Sequence, residues 1–443
     1  MNNLCNLWIN MNISHRSQRM VVPVIAAITL LAISAQAEPI PPEQSRWQNL
    51  HNPSAPGSLA PRLLQSEAGT VYLSWLQKQA TSAAGIATRA DTGAGHALKF
   101  ARLQTDSDPL SFAPARRIAS GSGWFANWAD TPALYIHSDS LWLAHWLQKS
   151  AASTYAYDIM LTTSSDQGVT WSEPFIPHQD NTPTEHGFVS YFPMAEDRLG
   201  MIWLDGRETQ VTPTHDHGGA MTLRTAVVDI AGNISQSKLL DQRVCDCCQT
   251  AAVRTSDAAV IAYRNRTEDE IRDIAVMRLD AQGWSEPVIV HHDGWRIKAC
   301  PVNGPGLAAR GRQLALAWFT MAADNPRIHL ALSSDAGRTF TAPQVFASGT
   351  ALGRVQLLAY ADGWLLSWMD QPHKQGAAVI RLAGLNAAGR VQWQQQLSGL
   401  SAERASGIPR MAVLTDGGIV MAWTAAVNGQ SVIRTTVFYP GSE

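Results

Sequence analysis

The chain has 443 residues, a formal net charge of −2 and only 16% charged residues. Charge so near balance leaves no electrostatic footprint for nucleic acid or an anionic membrane. Sixteen tryptophans beside so few charges suit a compact aromatic-rich β protein, and large propellers and barrels fold as single units at this length.

The first stretch reads as a targeting segment. "HRSQR" is basic, "MVVPVIAAITLLAI" is apolar, and Ala35 to Ala37 are small residues ahead of Glu38. That order is the charged region, apolar region and cleavage site of a secretory signal peptide. The apolar run is shorter than the roughly 20 residues of a spanning helix. We therefore expect residues 1–37 to be a signal peptide cleaved after Ala37. Residues 38–443 then form one domain with no membrane span, periplasmic or secreted. Cys245, Cys247, Cys248 and Cys300 remain in an oxidising compartment.

From there one unit recurs, beginning with "PRLLQSEAGTVYLSWLQ" and "PALYIHSDSLWLAHWLQ" and ending with "RMAVLTDGGIVMAWT". Each is an apolar strand, a turn, and a second strand closing near an aromatic. The markers are Trp75, Trp146, Trp203, Tyr263, Trp318, Trp368 and Trp423, spaced 50 to 71 residues apart. A third strand follows ("YDIMLTT", "IHLALSS") and usually a fourth. Four short strands per period describe a β-propeller blade. The fold class is all-β, a single propeller of four-stranded antiparallel blades, with seven blades, or six if one unit is an insertion. The last unit offers only three strands, and "SRWQNLH" near the mature N-terminus is expected to complete it.

Two turns share the pattern S-x-D-x-G-x-T-aromatic: Ser164, Asp166, Gly168 and Trp171, then Ser333, Asp335, Gly337 and Phe340. The glycine accepts positive φ, the aspartate can bond turn amides, and the aromatic plugs the hairpin. This is the Asp-box, and over residues 38–443 the chain resembles the sialidase superfamily of Asp-box (BNR-repeat) propellers. The resemblance implies an axial funnel that binds a carbohydrate or other small anionic ligand. It also implies three arginines on a carboxylate, a tyrosine–glutamate nucleophile pair and an aspartate acid/base for exo-α-sialidase-like hydrolysis. The boxes lie between third and fourth strands, so the funnel belongs to the opposite face, where the links into blades and the loops between second and third strands gather.

Those loops supply the candidates. Trp128, a stacking platform for a sugar ring, and Asp130 lie in "GWFANWADT"; Glu185 and His186 lie in "TPTEHGFVS". "LDGRETQVTPTHDHGGAM" carries Asp205, Arg207, Glu208, His215 and His217, and "YRNRTEDEIRD" carries Tyr263, Arg264 and Arg266. Asn303 follows Cys300 in "IKACPVNGP". Asp205, Arg207, Glu208 and Tyr263 are the catalytic candidates. Asp130, Glu185, His186, Arg264, Arg266 and Asn303 are expected to line the ligand. Arg62, Arg354 and Arg410 sit near the start of the first strands of units one, six and seven, which are neighbours once the ring closes. Planar guanidinium groups there suit a carboxylate clamp. The plainer reading of each charged loop residue is a solvated or ion-paired rim. "APRLL" stands where the family carries Phe-Arg-Ile-Pro, and no glutamate is obviously paired with the mouth tyrosines Tyr155 and Tyr157.

Three cysteines crowd "RVCDCCQT". Two disulfides are one reading, with Cys245–Cys248 and Cys247–Cys300 as one of three pairings. The other is a thiolate and imidazole site formed with His215 and His217, suited to zinc or copper. "CDCC" with "CPVNGP" also resembles a bacterial subgroup of exported sialidase-like propellers. The expected function is therefore binding and cleavage of an anionic glycan by a monomer. The alternative is a non-catalytic metal-binding or ligand-binding propeller centred on the cysteines.

Overall fold

Strand pairing sorts the chain into seven separate antiparallel sheets. The computed structural model describes residues 46–79, 95–195, 197–210, 219–373 and 376–441. The expected signal peptide, His215 and His217 lie outside the described residues. Blade I runs from Ser58–Gln65 through Val71–Lys78 and His96–Gln104 to Arg116–Gly121. The first strands of blades II to VII are Ala133–Ser138, His186–Pro193, Ala251–Arg254, Gly306–Arg310, Ala351–Tyr360 and Arg410–Val413.

Burial explains the sequence of each strand. The second strand of a blade lies between two neighbouring blades, so both of its faces must be apolar. Leu141–Lys149 and Gly363–Asp370 are buried almost end to end. A fourth strand faces water on one side, and Val391–Leu400 ("VQWQQQLSGL") alternates accordingly. All seven marker aromatics fall in second strands. The core is seven slabs, one between each adjacent pair of blades.

The ring closes as expected. Arg46–Asn49 pairs antiparallel with the last strand, Gln430–Tyr439, as the fourth strand of blade VII. Blade II departs from the expected four strands: "SEPFIPH" makes only a bridge from Phe175 to Leu161. Pro174 and Pro177 flank that bridge, and neither can donate to a ladder. No helix among the described residues is long and apolar enough to cross a membrane.

The two repeated turns have the same bonding. Ser164 Oγ accepts the Gly168 N–H at 2.8 Å, and Asp166 accepts the Thr170 N–H at 2.9 Å and its hydroxyl at 2.6 Å. Ser333, Gly337, Asp335 and Thr339 repeat this at 2.9, 2.9 and 2.7 Å. Gly168 and Gly337 stand at φ of +73° and +81°. Trp171 and Phe340 pack against the slabs beneath them.

Candidate functional site

Three of the innermost strands carry the same irregularity. Pairing slips between Leu59 and Arg62 in blade I, between Gly187 and Ser190 in blade III, and between Gly353 and Gln356 in blade VI. Within the slips Ala60, Phe188 and Arg354 take φ of +55°, +54° and +54°. A bulge re-aims a side chain, and a non-glycine residue in this region costs about 1 kcal/mol or more. The bulges open onto an axial cavity of about 280 Å³ lined by the first strands of all seven blades.

Arg62, Arg354 and Arg410 all line this cavity. Arg410 Nε and Nη2 are buried and have no hydrogen-bond partner among the described residues. Burial, reinforced by the charge of Arg62, drives Arg410 well below the usual arginine range. Arg62 is itself lowered by burial, against the pull of Tyr191 and Asp130. Arg354 is more constrained. It donates to Ser406 Oγ at 2.6 Å and to the Gly407 and Glu403 carbonyls at 2.9 and 3.0 Å. Its guanidinium carbon lies 5.2 Å from the centre of the Trp128 ring, so Trp128 supports an arginine face. Burial lowers Arg354 to about 10.

Asp130 forms the carboxyl wall of the cavity. Its Oδ1 accepts the Phe188 N–H at 2.8 Å, and its Oδ2 lies 2.9 Å from the Tyr157 hydroxyl. Tyr157 also reaches Glu185 Oε1 at 2.7 Å. Gly187 is required beside this contact, because a Cβ there would stand 1.8 Å from Asp130 Oδ2. A phenol has one proton to give, so a tyrosine bonded to two carboxyls needs one of them protonated. Burial pushes Asp130 up to about 7, although the Phe188 N–H and Tyr157 resist it. Burial also raises Glu185 and Tyr157 well above their ordinary values. Glu185, already a candidate, is thus the carboxyl partner of Tyr157, and that pairing is what sequence reasoning lacked. It was hidden because the pair spans two blades, joined where Tyr157 bridges Glu185 at the blade boundary.

A second network lies alongside. His178 and His186 stack with centroids 3.9 Å apart. Asp180 receives His178 Nδ1 and His186 Nε2 at 3.0 Å each, and Arg207 Nη2 at 3.1 Å. These contacts hold Asp180 well below the usual carboxylate range despite its burial. His186 opens the first strand of blade III opposite Asp205, the end of the second. Burial lowers His186, but Asp180 and Asp205 outweigh it and leave the imidazole raised. Asp205 is itself buried, taking Trp203 Nε1 at 2.8 Å and Arg207 Nε and Nη2 at 2.7 Å each. It therefore orients Arg207 and shows no face to a ligand. Glu208 is exposed at the rim and pairs with Arg224 at 3.2 Å.

Blade IV corrects three expectations. Tyr263 is buried with its hydroxyl 2.6 Å from Asp241 Oδ2, which makes it a packing residue. Arg264 is 1% exposed. Its guanidinium is consumed by the carbonyls of Asn303, Arg272 and Phe319 at 2.6 to 3.0 Å, and it lies over Trp295. It ties blades IV and V together and cannot grip a ligand in the funnel. Arg266 is matched by Asp246 at 2.8 Å and Glu270 at 2.6 Å, the ion-paired rim that is the default for such a loop. Asn303 also braces the fold: its Oδ1 accepts the Arg354 N–H at 2.7 Å and its Nδ2 reaches Leu352 O.

The four cysteines are free thiols here, without a disulfide among the described residues. Cys245 Sγ lies 3.0 Å from Cys248 Sγ and 3.2 Å from Arg272 Nη1.

No family model matches the chain, and no curated protein matches it. Solved structures similar to it include the K499G mutant of NanB sialidase from Streptococcus pneumoniae. That pair is 10% identical with a TM-score of 0.46, covering 89% of this chain and 92% of that one. A protein of unknown function from Dyadobacter fermentans is 14% identical with a TM-score of 0.48, covering 88% and 97%. The α-L-arabinanase of Penicillium chrysogenum is 14% identical with a TM-score of 0.44, covering 88% and 97%. Similarity at this level assigns no activity to this chain, whose chemistry rests on its own cavity.

Proposed function

We propose that this propeller binds a carboxylate-bearing glycan in its axial cavity and cleaves it with Asp130 as general acid. The observation that carries the reading is the Arg410 guanidinium beside Arg62, its Nε and Nη2 without a hydrogen-bond partner among the described residues. A buried polar hydrogen left without an acceptor costs about 1–3 kcal/mol, and two like charges in one cavity add to that. A carboxylate offers two oxygens to the guanidinium fork and neutralises the pair. Asp130 then faces the same cavity with a proton to give near neutral pH. In the cleavage step that proton passes to the glycosidic oxygen as its bond to the anomeric carbon breaks. A water molecule bonds to that carbon, and the proton the water gives up returns to Asp130. Tyr157 and Glu185 hold a further proton against Asp130 from behind. The setting we propose is outside the cytoplasm, after removal of residues 1–37.

Calorimetry with N-acetylneuraminate and glucuronate, against neutral sugars of the same size, tests the binding step. Saturable binding of an acidic sugar, weakened at least tenfold by Arg410→Met, is expected. The cleavage step is tested on 4-methylumbelliferyl glycosides of the sugar that binds, with Asp130→Asn expected to abolish release. Equal affinity for acidic and neutral sugars, or no change in Arg410→Met, would sink the reading.

A further inference from the structure

The funnel mouth carries one group of side chains that the arginine cavity does not use. The link into blade IV turns at Asp246 and Cys247. The turn brings the sulfurs of Cys245, Cys247 and Cys248 within 4.8 Å of one another. Cys300, from the link into blade V, packs against the same core slab as Cys247. We propose that these cysteines form a binding site for one thiophilic d10 cation, zinc(II) or copper(I). Three thiolates come from the turn, and Cys300 reaches in from the neighbouring blade.

Three features favour an ion over a pair of covalent staples. The first is convergence. Two disulfides need only two separate contacts, whereas here each sulfur of the turn is in reach of both others, which is the arrangement a shared ion requires. The second is the donor set. Arg272 Nη1 points at Cys245 Sγ from 3.2 Å, and its Nη2 is held by Glu270 at 2.9 Å. A guanidinium aimed at a buried sulfur suits a thiolate acceptor better than a bridged one.

The third is charge. Asp246 and Glu270 already match Arg266 and Arg272. The negative charge that the thiols develop as they give up their protons to an ion is then left for that ion to balance, and sulfur selects a soft one. Access fits as well. Cys245 and Cys248 are 1% and 2% exposed, while Cys247 and Cys300 are part-exposed toward the mouth. An ion could therefore load from solvent and finish on buried ligands, pinning the inlet of blade IV to that of blade V.

The test uses the full mature chain purified under anaerobic reducing conditions. Zinc(II) and copper(I) are titrated separately against chromophoric chelators, and native mass spectrometry gives the stoichiometry. One ion per chain is expected, with thiolate-to-metal charge transfer in the near ultraviolet for copper(I) or for cobalt(II) replacing zinc. Whichever ion survives the stronger competing chelator identifies the resident metal. Cys247→Ser should weaken that affinity at least tenfold. Cys300→Ser, in the link into blade V, should do the same even if Cys247→Ser fails to fold. His178→Ala, in a histidine-bearing cluster separate from the cysteines, should leave binding intact. The proposal is overturned if reduced protein binds neither ion, if binding ignores both cysteine variants, or if it follows His178→Ala instead.

Discussion

Asp130 keeps its proton because it has almost no water to lose it to. Its folded-state value of about 7 stands above an ordinary 3.8, with burial as the leading cause. The sign of the pH effect follows. Between those values the folded protein holds a proton that the unfolded chain has released, so stability falls as pH rises through this window and is level above it. At 1.36 kcal/mol per unit the ceiling is about 4 kcal/mol. Urea unfolding at pH 5 and pH 8 should show a lower midpoint at pH 8. Asp130→Asn should lose most of that difference, its amide oxygen accepting the Phe188 N–H and its amide N–H donating to the Tyr157 oxygen. A wild-type midpoint that does not move would mean Asp130 is ionised at pH 5. By the same sign, glycoside cleavage that uses Asp130 as acid should decline as pH climbs past about 7. Arg264 makes the opposite case, a charged residue whose work is structural. Arg264→Met leaves the carbonyls of Asn303, Arg272 and Phe319 unpaired. We expect a loss of about 3 kcal/mol or more in chemical denaturation. Its effect on acidic-sugar affinity should be no larger than that of a generally loosened fold. Sequence reasoning placed Arg264 at the funnel because it closes a strand at the mouth. Only the packing of Trp295 and the link through Asn303 shows that this strand end is covered.

Among the elements, the turns were readable in advance and the bulges were not. A turn is local: S-x-D-x-G-x-T contains its donor, its acceptor and its glycine within seven residues. Ser333→Ala removes the acceptor for the Gly337 N–H and the donor to Asp335. A cost of about 1–2 kcal/mol is expected. Ligand affinity should be unchanged, since the turn lies at the far end of the strands from the cavity. A loss of affinity in that variant would show that the two faces are coupled. A bulge, by contrast, is a mismatch in register, and register exists only once the partner strand is in place. "SLAPRLL", "HGFVS" and "LGRVQ" carry no common motif, yet they slip at the same height on three blades. The Tyr157–Glu185–Asp130 contact was hidden for the same reason. It joins two inter-blade links to the start of a third strand, and only the ring brings them together. The expected arginines were easier to find, because each sits in a first strand and the repeat had already numbered those strands.

At the scale of the molecule, everything proposed here depends on the ring staying shut. Arg62 belongs to blade I and Arg410 to blade VII, so the anion site straddles the seam where the two ends of the propeller meet. The seam is held from outside by four residues, Arg46–Asn49, paired with Tyr439 through Thr436. It is supported by Leu50 N to Thr435 O at 3.0 Å and by Thr436 Oγ1 to Gln48 O at 2.7 Å. Inside it lies the slab of Leu63, Leu73, Trp75, Ala412, Val420 and Val437. Deleting residues through Asn52 takes only Leu50 from that slab and exposes the edge of Gln430–Tyr439, an unpaired strand open to exchange and aggregation. Hydrogen exchange in that strand should then accelerate before any other blade responds, because blades unfold as neighbouring units and the seam becomes the weakest. Affinity for an acidic sugar should fall with it, since the spacing of Arg62 and Arg410 is no longer fixed. Moving residues 46–57 to follow Tyr439 through a flexible linker should restore both, because the strand closes the ring by where it pairs. If the truncated protein kept full exchange protection and full affinity, the seam would be held by the inter-blade slab alone, and the closing strand would serve only to cover an edge.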